Sequence, residues 1–252
     1  MRGPHPGLAV ELGSARTRVW APGGGAVLDV PTVVFPGTGV ASYPVRRGAV
    51  VDPEGAGRLL RRLLGPRLPR GARPLIVLTT PVLGGADHRA AALSALGALR
   101  PRRVLTVPAA RAAALGAAAD LTGPLLVVDV GAHLTEVGLL ADGAVADAYH
   151  TLLGTGDLGA ATTHDDLVRA AAGMVTDLFR ADRTPLSAEA LRRGVLLTGG
   201  GALRPGIARG LAARLRAPVR VAPSPHTAAV RGAATVLAVP RGGPVPGVRA
   251  AG

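Results

Sequence analysis

The sequence predicts an α/β fold of two similar halves, and three observations carry that prediction. Short apolar strands alternate with helical patterns along most of the chain. An apolar run ending in an acid and a Gly-containing turn occurs twice, at Glu11-Leu12-Gly13 and at Asp129-Val130-Gly131. Each occurrence opens a meander of strands that gives way to strand–helix alternation. The boundaries expected are 1–122 for the first half and 123–239 for the second, with a Pro/Gly-rich tail at 240–252 expected to be disordered.

In order, Leu8 to Leu12 is a short apolar strand, Gly13-Ser14-Ala15 a turn, and Arg16 to Ala21 the returning strand. Pro22 to Gly25 turns again, and Ala26 to Val30 with Thr32 to Phe35 completes the meander. Residues 37–47 read as loop. Gly48 to Asp52 reads as a short strand or the start of a helix. Glu54 to Leu64 places Leu59, Leu60, Leu63 and Leu64 at helical spacing, with Arg58, Arg61 and Arg62 opposite. Gly65 to Gly71 is too rich in Gly and Pro for regular structure. Leu75 to Thr79 is a buried strand, Asp87 to Leu99 an Ala-rich helix, Arg103 to Val107 a strand, and Arg111 to Ala119 a helix.

The second half repeats the design. Leu125 to Asp129 is a buried strand, Thr135 to Leu140 its partner, and Ala144 to Thr151 extends the meander. Thr163-His164-Asp165-Asp166 has the form of a capping box opening a helix to about Arg180. A shorter helix starts at Ser187, a strand runs from Gly194 to Thr198, and a helix broken near Pro205-Gly206 runs from Ala202 to Arg216. Pro218 to Ala222 is the last strand and His226 to Val239 the closing helix.

Composition narrows the function classes. The 252 residues suit one large domain or two small ones. Hydrophobic content is 48% but aromatics only 2%, so the core is Leu, Val and Ala. The net charge of +13 is carried by Arg alone and favours acidic partners: phosphates, nucleic acid or anionic lipid. Lys, Asn, Gln and Cys are absent, a bias that reads as drift in base composition, so single Arg positions carry little weight. Without Cys there is no disulfide framework and no thiolate metal site, which fits a reducing cytosol. No apolar run approaches the roughly 18 residues of a membrane span, and the N-terminus has no secretion-signal core. No Ser/His/Asp set stands out.

Three Gly turns at strand ends are phosphate-binding devices, because glycine lets the backbone approach and free N–H groups favour anions. They are Glu11-Leu12-Gly13-Ser14, Asp129-Val130-Gly131-Ala132 and Thr198-Gly199-Gly200-Gly201. None is a Walker A loop, and no G-x-G-x-x-G follows a first strand. Two such hairpins, with a third Gly turn beside them, resemble the nucleotide cleft of the actin/Hsp70/sugar-kinase fold, in which the two hairpins face each other.

At these residues the chain resembles the MreB family, the bacterial actins of rod-shaped cells. Glu11 to Thr17 looks like the family's first phosphate loop, and Val27 to Val34 like the segment after it. Pro44 to Asp52 is similar to the strand entering its first long helix, and Ala112 to Ala117 to its interdomain helix. Gly194 to Leu203 is the most specific match, and Ser224 to Ala233 resembles the closing helix. The resemblance runs from about residue 8 to 238.

That resemblance implies a two-lobed actin-like ATPase fold with duplicated ribonuclease-H-like halves. Both outer subdomains are expected to be reduced or missing, because the chain is short between Ala41 and Pro44 and between Asp157 and Thr163. It implies ATP or ADP held by Gly13, Ser14, Ala15, Arg16, Gly131, Ala132, His133, Leu134, Gly199, Gly200, Gly201, Ala202 and Leu203, with Mg²⁺ held through water by Glu11 and Asp129. There are departures. Glu11 stands where the family has Asp, and Gly131-Ala132-His133-Leu134 replaces a Gly triplet followed by Thr. Ala109 falls where the family has the carboxylate that orients the attacking water, so hydrolysis is expected to be weak or absent and no catalytic residue is assigned.

Each singled-out residue has a plainer reading. Ser14 donates to a phosphate or caps a turn, with the phosphate role favoured. His133 contacts phosphate or is a turn residue, with the turn favoured. Asp87-His88 and His164-Asp165-Asp166 read as helix caps rather than metal clusters. The Arg-rich stretch Arg58 to Arg70 reads first as a core-facing helix with a solvated back. Its second reading is a contact with an anionic membrane, since MreB proteins carry a membrane-inserting loop there, and its third is nucleic acid.

The expected function is a role in cell shape or wall organisation in the cytoplasm, with peripheral membrane association. The expected partners are full-length MreB or a cell-wall elongation complex, not nucleic acid. The alternative is an actin-derived interaction module that binds no nucleotide and docks on a full-length filament. A sugar kinase fails for want of a catalytic acid and a sugar-binding domain.

Overall fold

The computed structural model describes residues 6–21, 27–37, 39–238 and 249–250. The chain opens with β1 (Gly7–Leu12), β2 (Arg16–Trp20) and β3 (Val27–Pro31). A small hairpin of β4 (Val45–Arg46) and β5 (Ala49–Val50) leads into α1 (Pro53–Leu64). Asp52 caps α1 by accepting from the Gly55 N–H at 2.8 Å. Then come β6 (Leu75–Thr80), α2 (Gly85–Gly97), β7 (Arg103–Pro108) and α3 (Ala109–Gly116). A second meander follows: β8 (Leu125–Val130), β9 (Thr135–Ala141) and β10 (Ala144–Thr151). The rest is α4 (His164–Ala181), α5 (Leu186–Arg193), β11 (Val195–Thr198), α6 (Pro205–Leu215), β12 (Val219–Val221), α7 (Ala228–Ala238) and β13 (Arg249–Ala250).

These strands form two main sheets of matching design. The first has the order β13-β7-β6-β1-β2-β3 and the second β10-β9-β8-β11-β12. In each, an antiparallel three-strand meander is joined through its first strand to two parallel strands: β6 and β7 in one, β11 and β12 in the other. Buried Leu, Val and Ala side chains hold five layers together. On the outer face of the first sheet lie α1 and α2, and on that of the second α4, α5 and α6. Between the sheets lie α3 and α7, in a core that draws Ala9, Val77 and Val107 from one sheet and Leu125, Val127 and Leu140 from the other. Although α7 comes late in the chain, it packs against β1, β2 and β6.

Three local expectations change. Thr32 to Phe35 is not a strand: only Val34 bridges, to Ser42. Thr32 turns inward instead, its N–H donating to the Ala15 carbonyl (2.9 Å) and its hydroxyl to the Gly13 carbonyl (2.7 Å), so it braces the first turn. Asp87 and His88 do not cap α2. Gly84 holds that position, and Asp87 lies in the first turn, where a carboxylate still suits the helix dipole. The third helix starts at Ala109, straight from β7. By contrast, Thr163 and Asp166 form the capping box of α4. Neither the stretch between β3 and β4 nor that between β10 and α4 carries a subdomain among the described residues, so both outer lobes are missing. Of the tail, 240–248 and 251–252 lie outside the described residues, and Arg249–Ala250 pairs with β7. Among the described residues no helix is long and apolar enough to cross a membrane.

Candidate functional site

The C-terminal ends of β1, β6, β8 and β11 open onto one cleft of about 320 Å³ between the sheets. Strand register fixes what faces it. In the first sheet Thr79, Glu11, Arg18 and Asp29 are direct neighbours on β6, β1, β2 and β3. In the second, Thr198, Asp129, Glu136 and His150 occupy the matching places on β11, β8, β9 and β10. Neighbouring side chains in such a row share one face of the sheet and interact.

The charges in the first row are paired. Arg18 Nη1 donates to Glu11 Oε1 at 3.0 Å, and its Nε lies 3.2 Å from Asp29 Oδ2. Arg16 Nε donates to Asp29 Oδ1 at 2.7 Å. The two guanidinium groups hold Asp29 below the usual carboxylate range against the pull of its partial burial. In the cleft burial dominates. It pushes Glu11 up to about 7, with the Asp129 charge adding and Arg18 opposing. It raises Asp129 to about 6, again opposed by Arg18. Glu136 is 4% exposed, and burial with the Asp129 charge lifts it to about 8. Its Oε1 accepts from the Val82 N–H at 2.7 Å, so this acid of the second sheet is bonded to the loop after β6 of the first.

Turn geometry shapes the loops. A Cβ on Gly199 (φ +83°) would strike the Asp129 carboxylate, so only glycine fits there. The Ser14 hydroxyl oxygen accepts from the Gly48 N–H at 2.9 Å and keeps its own proton for a further acceptor. The N–H groups of Ser14, Ala15, Ala132 and His133 donate to no group among the described residues. The Gly131–His133 turn is braced from behind, where Thr155 and Gly156 donate N–H bonds to the Gly131 and Ala132 carbonyls at 3.0 and 2.6 Å. Leu134 reaches across toward Gly48, its Cδ2 within 2.7 Å of where a Cβ would stand.

Of the residues expected at the site, Glu11, Gly13, Ser14, Ala15, Arg16, Asp129, Gly131, Ala132, His133, Leu134, Gly199 and Gly200 line this cleft. Gly201, Ala202 and Leu203 do not. Gly201 abuts Val130, Ala202 is buried in the core beneath the second sheet, and Leu203 is 58% exposed. Ala109 lines the cleft and offers no acid there. Unforeseen in the sequence are Arg18, Glu136, Arg204 and His226. Arg18 and Glu136 each lie directly across a strand from an acid already singled out, and that pairing was the available signal.

The donor set does not fit the expected Mg²⁺. Arg18 already places a fixed positive charge on Glu11, to which its Nη1 donates at 3.0 Å, and it lines the same cleft as Asp129. Among the described residues no group of three or more His, Asp or Glu is placed to hold a metal ion. Beside its three acids the cleft presents backbone N–H groups that donate to no group among the described residues, a hydroxyl and guanidinium groups, which together can receive an anion.

The family described as MreB/Mbl protein matches residues 35–160 and 160–241. The cell shape-determining protein Mbl of Bacillus subtilis (strain 168) is 23% identical over an alignment 316 positions long, covering 91% of this chain and 95% of that protein. A crystal structure of MreB5 of Spiroplasma citri bound to ADP superposes with a TM-score of 0.78 at 16% identity, covering 92% of this chain and 95% of that one. The MamK double helical filament gives 0.75 at 16% identity, covering 94% and 99%.

Proposed function

This chain belongs to the MreB/Mbl family, and from that premise we propose that it is an actin-like protein that binds ADP or ATP between its two sheets and serves cell shape. The observation that carries the reading is the convergence of three Gly turns from three strand ends on one cleft. The phosphates would lie against the N–H groups of Ser14, Ala15, Ala132 and His133, with the Ser14 hydroxyl donating and Gly199 and Gly200 closing the far side. A relative's structure bound to ADP and the kinship with Mbl support it. With Ala109 where a water-orienting acid would stand, turnover is expected to be slow or absent. Cytoplasmic placement and association with a full-length MreB-type filament belong to the same reading. Isothermal titration calorimetry with ADP and ATP tests it. Saturable heat is expected, and no heat at high nucleotide concentration overturns it.

One observation favours a second reading. Leu134 reaches across the cleft to Gly48 and takes up room beside the second phosphate loop, as in a module that has given up its ligand. Such a protein would sediment with full-length MreB filaments and bind no nucleotide, so co-sedimentation beside the calorimetry separates the two.

A further inference from the structure

The row Glu11–Arg18–Asp29 has no counterpart in the second sheet, where the place of Arg18 is taken by Glu136. Arg18 rises from the middle strand of the first meander and ends in the cleft with its side chain 12% exposed. Nη1 is bonded to Glu11 and Nε faces Asp29, while Nη2 donates to no group among the described residues. The guanidinium is thus anchored on two sides and open on the third. It is bonded to Glu11 and lines the same cleft as Asp129, the two acids that would otherwise gather a cation.

We propose that the Arg18 guanidinium is the built-in cation of this cleft, standing in for a divalent metal ion beside Glu11 and Asp129, so that a nucleoside di- or triphosphate binds in its metal-free form. The inference rests on the nucleotide reading and adds to it how the phosphate charge is met. A guanidinium is always protonated and presents a planar fork of donors, which suits phosphate oxygens. Anchoring by Glu11 and Asp29 removes the ordering cost that a free Arg side chain would carry on binding. A second cation brought to Glu11 would be repelled by the first across a short, poorly screened distance.

Calorimetry with ADP is run in Mg²⁺ and in EDTA. Wild-type affinities are expected to agree within about threefold. Arg18→Gln is expected to lose roughly ten- to a hundredfold in EDTA, the loss that goes with a hydrogen bond to a charged group, and to regain affinity in Mg²⁺. Arg18→Lys, which keeps the charge, should retain binding in EDTA to within about tenfold of wild type. A gain of tenfold or more for the wild type in Mg²⁺ overturns the inference and leaves the nucleotide reading standing. Absence of heat in both buffers removes the nucleotide reading and with it the phosphate ligand of this inference, and electron paramagnetic resonance with Mn²⁺ alone then decides whether Arg18 stands in the place of a metal ion. Arg18→Gln should bind Mn²⁺ where the wild type does not. Binding by the wild type that is lost in Asp129→Asn, or no binding by either protein, overturns it. Should Arg18→Gln fail to fold, wild type and Arg18→Lys in the two buffers still decide.

Discussion

Glu136 shows at the scale of one residue how the cleft couples to solution conditions. Its carboxyl is lifted from 4.5 to about 8 by burial and by Asp129, and Glu11 is lifted to about 7. A folded-state pKa above the unfolded value means that the folded chain binds extra protons in between, so stability falls as pH rises through that window. His88, whose pKa burial lowers from 6.5, works in the opposite sense but only below that value. Thermal stability should therefore fall between pH 6.5 and about 8. Glu136→Gln keeps an oxygen for the Val82 N–H and removes the ionisation, so it should flatten the fall. At roughly 2–4 °C per kcal/mol for a chain of this size, the difference is within reach of calorimetry. A melting temperature that rises over this range in the wild type would refute the assignment. Composition hid this chemistry. Glu11 and Asp129 were legible as acids before Gly turns, but the partners Arg18 and Glu136 are set by which residues lie opposite across a strand. That register is a property of the paired sheet.

Elements were more legible, because hydrophobic period and Gly/Pro punctuation are local. The capping box at Thr163, the Leu pattern of α1 and the Gly triplet after β11 were readable from side-chain chemistry alone. Thr32 to Phe35 misread as a strand because its β-branched residues suit one, whereas Thr32 is drawn back to Ala15 and Gly13. The element contact that matters most for the core is α3 against α7. A Cβ on Gly232 would run into the Ala112 carbonyl, and one on Gly116 into the Ala228 carbonyl, so the two helices touch backbone to backbone. Gly232→Ala should cost about 1–3 kcal/mol by overpacking. Gly173→Ala, in mid-α4 with nothing near the added methyl, should instead gain roughly 0.5–1 kcal/mol from helix propensity. Urea titration of both variants makes the comparison, and equal signs would mean that the helix crossing yields enough to admit a methyl group.

The duplication of the whole molecule was visible in the sequence as a repeated meander, but the return of α7 to the first sheet was not. An Ala-rich helix carries little side-chain information about which sheet it will meet, and the partner is settled by fits such as Leu237 against Gly7. The result is two sheets tied at three levels: α3 and α7 at the base, Glu136 to Val82 in the middle, and Arg47 at the mouth. Arg47 precedes β5 in the first half and donates Nη2 to Asp157 Oδ1 at 2.8 Å and Nη1 to the Leu152 carbonyl, both in the second. It spans the gap where the outer lobes are missing. Exposed ion pairs contribute at most about 1 kcal/mol, so Arg47→Ala should leave the melting temperature nearly unchanged. Its effect should be local. Loss of about 1 kcal/mol from a closed mouth raises the open fraction roughly five-fold, and amide exchange at residues 131–134 and 154–157 should rise by that factor while β8 stays protected. Arg47 is the side to change, because Asp157 also accepts from the Gly154 N–H and its removal would disturb the turn itself. High salt should reproduce part of the effect in the wild type by screening the pair. Unchanged exchange at both loops would show that the mouth is held shut by something else, with the brace of Thr155 and Gly156 on the Gly131 turn the next contact to cut.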